Sequence, residues 1–231
     1  MKIMTFNTQH CLDYLNQKID FSLMAKTIEG LNADIVGLNE MFDNSHLEDY
    51  DKQTEKIAKS TTLSYFFFAK AIDDGMGEYG NGIISRYPIV SAESIIIPDP
   101  SPKEYDGFYE TRCVLKATLE NGLTVLITHF GLNPDEQKNA VDTVLKHITD
   151  TKCILMGDFN VTPDDPIIAP IKSKMKDTAE LFTEPKLSWP SDKPEKKIDY
   201  IFVSPDIEVV SADIPEIVAS DHRPHVAEIR F

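Results

Sequence analysis

Cysteine is scarce in this 231-residue chain: Cys11, Cys113 and Cys153 are the only three, and no two stand in a C-x-x-C pair. An odd, unpatterned set removes a disulfide framework and a structural zinc site, and leaves reduced, buried thiols. Long apolar runs are missing too. None approaches the roughly 18 residues that cross a bilayer, and Met1–Asn7 is too short and too polar for a secretory signal. The expectation is a soluble, cytoplasmic monomer with no membrane span, unless a leader has been removed. Basic charge is outweighed, with 23 Lys and Arg against 38 Asp and Glu for a net charge of −15. Counterion release over a broad phosphate-binding face is thereby excluded, so no stable extended nucleic-acid surface is expected. Any nucleic acid must be held locally. There is no low-complexity tract, linker, fixed-period repeat or G-x-S-x-G elbow.

What remains is an ordinary globular composition, 42% hydrophobic and 26% charged, at a length that suits one domain over residues 1–231. Short apolar runs read as strands at Ile3–Phe6, Ile35–Leu38, Tyr65–Ala69, Ile83–Ile84, Val114–Leu119, Val125–Ile127, Ile154–Met156, Ile201–Val203 and His225–Ile229. Helical spacing appears at Phe21, Met24, Ala25, Ile28 and Leu31 behind a cap at Asp20. It recurs at Val141, Val144, Leu145 and Ile148 behind Asn133-Pro134-Asp135-Glu136, with a weaker stretch at Lys52–Lys59. Hairpin-like strands, such as Arg112–Leu119 turning at Asn121-Gly122 into Thr124–Thr128, favour packed mixed sheets over a doubly wound parallel sheet.

Strand after strand ends in an oxygen- or imidazole-bearing side chain: Asn7, then Asn39-Glu40, then Thr128-His129, then Asp158 and Asn160 within Gly157-Asp158-Phe159-Asn160. Sheets bring such ends to one rim, where ligand sites of layered proteins form. Lys197-Ile198-Asp199-Tyr200 and Ser220-Asp221-His222-Arg223-Pro224 add further polar groups at strand starts. Carboxylates, amides and two histidines without cysteine suit a hard, oxygen-ligated Mg²⁺ or Mn²⁺ better than zinc. Cation, carboxylate base and imidazolium together are the set needed to hydrolyse a phosphoester.

In order and approximate spacing, Met4-Thr5-Phe6-Asn7, Gly37-Leu38-Asn39-Glu40, Thr128-His129, Gly157-Asp158-Phe159-Asn160, Ile198-Asp199-Tyr200-Ile201 and Ser220-Asp221-His222-Arg223-Pro224 resemble the endonuclease/exonuclease/phosphatase superfamily, which is deoxyribonuclease I-like. The resemblance covers essentially the whole chain. It implies a four-layered α/β/β/α sandwich, two packed mixed sheets flanked by helices. It implies Glu40 as principal metal ligand with Asn7 and Asp221 beside it. Asp158 is then the residue that orients or deprotonates water, Asn160 a donor to the scissile phosphate, and His222 an imidazolium on the phosphate with Asp199 as its carboxylate partner. His129 matches a second histidine of the deoxyribonuclease and sphingomyelinase branches and is a candidate acid for the leaving group. Glu78 stands where the deoxyribonuclease branch partners that histidine with a glutamate, and Arg112 resembles a phosphate-contacting arginine. Asn39 departs from the family's usual glutamine.

Taken singly, these residues have blander readings: Asn7 caps a turn, Glu40 is a solvated strand end, and either histidine is structural. Six motifs in order reverse that weighting. Asn133 is an exception, because Asn-Pro-Asp-Glu is so good a helix start that capping is preferred. Trp189 is expected to pack beside the site, and Cys113 to be inert. The implied activity is hydrolysis of a nucleic acid, nucleotide or small phosphodiester. The alternatives are a phosphomonoester and a lipid phosphodiester of the sphingomyelinase kind, and the local +2 of Pro185–Ile198 is either a solvated face or an anion-guiding rim. A serine esterase using Ser220 or Ser85, or an inactive binding module, is less favoured.

Overall fold

A computed structural model describes residues 1–231. The first part of the chain runs β1 (Lys2–Asn7), a small ribbon of β2 (Leu12–Asp13) and β3 (Lys18–Ile19), α1 (Phe21–Leu31), β4 (Ile35–Asp43), α2 (Gln53–Lys59), β5 (Tyr65–Asp73), β6 (Glu78–Ser85) and β7 (Ile89–Ile96). The remainder runs β8 (Cys113–Leu119), β9 (Thr124–His129), α3 (Pro134–His147), β10 (Cys153–Asp158), the short α4 (Ala169–Lys172), β11 (Lys176–Asp177), β12 (Asp199–Val203), β13 (Glu208–Asp213) and β14 (His225–Arg230). No helix is long and apolar enough to cross a membrane.

Two six-stranded mixed sheets result, ordered β13-β14-β1-β4-β6-β5 and β11-β12-β10-β9-β8-β7. Side-chain alternation along the strands sorts the core into three layers. Ile3, Ile35 and Ile83 of the first sheet meet Leu115, Val125, Ile127, Ile154 and Ile201 of the second. On the outer face of the first sheet, Met4, Phe6, Val36 and Leu38 pack under Met24 and Ile28 of α1 and Ile57 of α2. On the outer face of the second, Leu126, Leu155 and Phe202 pack under Ala140, Val141 and Val144 of α3. This is the four-layered α/β/β/α sandwich that the resemblance implies.

The helix signals operate as written in the sequence. Asp20 Oδ1 accepts from the Leu23 N–H at 2.9 Å, and Asn32 closes α1 in left-handed backbone. Glu136 reaches back to the Asn133 N–H at 3.1 Å, so Asn133 opens α3 in a capping-box arrangement. The hairpin turn lies at Asn121-Gly122, with Gly122 at φ +81.

Candidate active site

Strand register sets three of the candidate site residues side by side. β10 pairs parallel with β9 and antiparallel with β12, and Asp158 lies opposite His129 on one side and Asp199 on the other. The row depends on Gly157. Its φ is +147, and a Cβ there would stand 1.8 Å from the Thr128 carbonyl oxygen, so β9 and β10 approach this closely only with glycine. In the first sheet, β1 and β4 run parallel with Asn7 opposite Asn39, and a register shift between Leu38 and Met41 releases Glu40 from the ladder at φ +60.

Asparagine amides join the two sheets. Asn7 Nδ2 donates to Glu40 Oε1 at 2.9 Å and to Asp158 Oδ2 at 3.1 Å. Asn39, one methylene shorter than the glutamine common at its position, accepts from the Asp158 N–H at 3.1 Å and donates to Thr128 O at 2.9 Å and Asn81 Oδ1 at 2.8 Å. Asn81 passes the chain on to Cys113 O at 3.0 Å. Each of these amides is buried, so the network is satisfied and rigid.

His222 sits at the centre. Its Nδ1 lies 2.9 Å from Asp199 Oδ2, and its Nε2 lies 3.6 Å from Asp158 Oδ2 and 4.0 Å from Asp221 Oδ2. Burial alone would lower its pKa. The Asp199 and Asp158 charges outweigh burial and raise it to about 10, so the ring is imidazolium at neutral pH. Asp158 is pushed up to about 7, chiefly by burial, against the pull of His222. Asn160 turns away from the strand at φ +52; its N–H donates to Asp158 Oδ1 at 2.9 Å and its amide to Phe130 O at 3.0 Å.

The expected pairing of Glu78 with His129 does not occur. Glu78 opens β6 beside Asp43 and Asp73, and its Oε1 binds Lys70 Nζ at 2.9 Å, away from the row. Arg112 Nη1 instead lies 3.0 Å from His129 Nδ1 and 2.7 Å from Glu110 Oε1. Guanidinium only donates, so Nδ1 accepts and the hydrogen resides on Nε2, 3.5 Å from Asp158 Oδ2. Burial first, then the Arg112 and His222 charges, hold the His129 pKa well below the ordinary value. This ring is a neutral hydrogen-bond donor, which corrects its reading as an acid for the leaving group.

Residues 4–222 match the Endonuclease/Exonuclease/phosphatase family. The chain belongs to this family. No curated protein matches it. Among solved structures, an endonuclease/exonuclease/phosphatase from Beutenbergia cavernae is 22% identical with a TM-score of 0.77, over 100% of this chain and 71% of that one. The mannosyl-6-phosphatase of Bacteroides thetaiotaomicron is 18% identical with a TM-score of 0.78, over 100% of both chains. TDP2 of D. rerio, solved with a single-strand DNA product, is 17% identical with a TM-score of 0.69, over 100% of this chain and 99% of that one. These are deoxyribonuclease I-like folds of a family of hydrolases, typically dependent on divalent metal.

The family's site opens here as a cleft of about 470 Å³, lined on its polar side by Glu40, Arg112, Asp158, Asn160, Asp221 and His222. Glu40, Asp158, Asp199 and Asp221 put four carboxylates against the charges of His222 and Arg112. Burial raises the Glu40 pKa despite the Asn7 hydrogen bond. An oxygen-rich donor set with an excess of acid fits a divalent cation. Asp158, Asp199 and His222 also lie within 4.8 Å of one another, yet the His222–Asp199 contact is a hydrogen bond whose proton an ion would displace. Glu40 Oε2 carries no such bond.

Phe108, Leu132 and Trp189 form the cleft's apolar side, and the first two are more than half exposed. Leu132 on the cleft and the buried Asn81 behind it are absent from the sequence reading, since only the opposition of the sheets reveals them. Of the lysines near Asp199, Lys196 lines the cleft, Lys186 pairs with Asp213 at 2.8 Å, and Lys197 is buried over the Tyr200 ring. Ser220 Oγ is buried and donates to Asp221 at 3.0 Å, and Ser85 Oγ accepts from the Tyr87 N–H, which leaves no free serine nucleophile at either position.

Proposed function

We propose that the protein is a divalent-metal-dependent phosphodiesterase that cleaves a nucleotide or other small phosphodiester by one in-line attack of water. The observation that carries this reading is the Asp199–His222–Asp158 row, with Asn7 tying Asp158 to Glu40. Glu40, Asn7 and Asp221 would hold Mg²⁺ or Mn²⁺, which when bound supplies positive charge to the phosphate oxygens. Asp158, with a pKa near neutrality, takes a proton from water as the O–P bond forms. His222 Nε2–H would give its proton to the departing oxygen as the P–O bond breaks, and Asp158, 3.6 Å away, would restore it with the proton taken from water. His129 Nε2–H, Arg112 and the second hydrogen of the Asn160 amide would donate to the non-bridging oxygens. The net charge of −15 favours a small substrate over duplex nucleic acid.

The test is turnover of bis-p-nitrophenyl phosphate, p-nitrophenyl phosphate, plasmid DNA, RNA and sphingomyelin with EDTA, Mg²⁺ or Mn²⁺. Activity is expected to vanish in EDTA, return with either ion and be highest on the small diester. Full turnover in chelator overturns the metal dependence. A preference for p-nitrophenyl phosphate moves the reading to a phosphomonoesterase.

A further inference from the structure

The catalytic row leaves one histidine of the cleft's neighbourhood without a task. His10 stands three residues beyond Asn7 in a stretch where Gln9, His10 and Cys11 all take left-handed backbone, at φ +46, +48 and +67. None is glycine, and each conformation is disfavoured by the Cβ clash with the following carbonyl, so three in succession persist only where the surroundings hold them. Here the surroundings do so. Gln53 Nε2 donates to the His10 carbonyl at 2.9 Å, the ring stacks on Tyr50 with centroids 5.6 Å apart, and it meets Phe42 edge-on at 6.1 Å.

Held in this way, His10 Nδ1 lies 3.9 Å from Glu40 Oε2. Glu40's other oxygen is committed to Asn7, and Glu40 too is left-handed, so both ends of the contact are set by unusual backbone. Neither ring nitrogen of His10 makes a hydrogen bond within the chain. Two ligand atoms each about 2.1 Å from one ion can be no more than about 4.2 Å apart, and 3.9 Å falls within that span.

We propose that His10 is a nitrogen ligand to the cation held by Glu40, and that it biases this site toward a first-row transition ion such as Mn²⁺ over Mg²⁺. The proposal rests on the metal-dependent reading above. Its chemistry is that Mg²⁺ gains little from imidazole whereas transition ions gain more, so one nitrogen in an otherwise oxygen site separates the two.

His10→Phe is the informative variant, since phenylalanine keeps the aromatic packing against Tyr50 and Phe42 and removes only the nitrogens. Metal-stripped protein is titrated calorimetrically with Mg²⁺ and Mn²⁺, and the Mn²⁺ form is examined by electron spin echo for nitrogen modulation. Wild type is expected to bind Mn²⁺ at least about tenfold more tightly than Mg²⁺. His10→Phe is expected to lose about tenfold or more in Mn²⁺ affinity, to change Mg²⁺ affinity by less than about threefold and to lose a nitrogen modulation. Binding that Glu40→Gln abolishes while His10→Phe keeps both the Mn²⁺ to Mg²⁺ ratio and the modulation overturns this inference alone. Failure of wild type to bind either ion overturns it together with the metal-dependent reading.

Discussion

At the scale of single residues, what matters is how each imidazole is held. Asp199 takes the His222 Nδ1–H at 2.9 Å, orients the ring and holds it charged, while Arg112 holds His129 neutral. Asp199→Asn is therefore expected to reproduce most of the loss caused by His222→Ala, about 10²–10⁴ in kcat, and to shift the alkaline limb of the pH–rate profile downward. Wild-type kcat in Asp199→Asn at neutral pH would refute the pairing. Glu78→Gln, by contrast, is expected to stay within about twofold of wild type in turnover, because that carboxylate engages only Lys70 on a half-exposed edge. A loss above tenfold would return Glu78 to the site. The misplacement of Glu78 is instructive. The polar ends of the strands were legible in the sequence as a set, but which of them touch is decided by register between strands that are distant in the chain. Nothing local to Glu78 or Arg112 reports that register.

At the scale of elements, the strands that carry the site were legible because they are central: β1, β4, β9, β10 and β12 are flanked on both sides and read as apolar runs. β7 and β13 went unseen. Both are edge strands without a single buried residue, and polar residues interrupt their apolar pairs Ile95-Ile96 and Val209-Val210. The sequence reading ends one strand at Ala69 and begins the next at Ile83, whereas β5 continues to Asp73 and β6 begins at Glu78. Polar residues at that sheet end face water on a long hairpin, so polarity there does not mean loop. Among the elements, β10 depends most on one residue. Gly157→Ala would drive a methyl into the Thr128 carbonyl and is expected to cost more than about 3 kcal/mol, or to shift β10 away from β9 and remove turnover. Urea unfolding with a wild-type midpoint, together with wild-type activity, would show that the register of β9 and β10 is wrong.

At the scale of the whole molecule, the core encloses histidines in opposite charge states, and that makes stability depend on pH from both sides. His225 begins β14, is fully buried, and has its ring between Thr178 Oγ1 at 3.1 Å and the Asp199 carbonyl at 3.3 Å. Burial, reinforced by the nearby Lys197, lowers its pKa from 6.5 to about 3, so it is neutral in the fold. Below pH 6.5 the unfolded chain takes up a proton that the folded chain refuses. The stability contributed by His225 is thus present above 6.5 and is lost progressively as pH falls from 6.5 toward 3. His222, raised to about 10, acts in the reverse direction: its contribution is complete below 6.5 and fades as pH rises through 10. Asp158, raised to about 7, also opposes His225, since protonation below 7 relieves a buried charge that the unfolded chain keeps until about 3.8. The raw slope of stability against pH mixes these groups, but a substitution at position 225 isolates one of them. His225→Gln keeps a polar group near Thr178 and does not titrate. Between pH 6.5 and pH 5, wild type is expected to lose about 1.6 kcal/mol more than this variant, because the unfolded histidine is half protonated at pH 6.5 and nearly fully protonated at pH 5. Urea melts of both proteins in EDTA at the two pH values measure the difference, with bound metal held at zero on both sides. Parallel losses in the two proteins would mean that His225 is protonated in the folded state as well, with Nε2–H donating to Thr178 Oγ1 and Nδ1–H still donating to the Asp199 carbonyl.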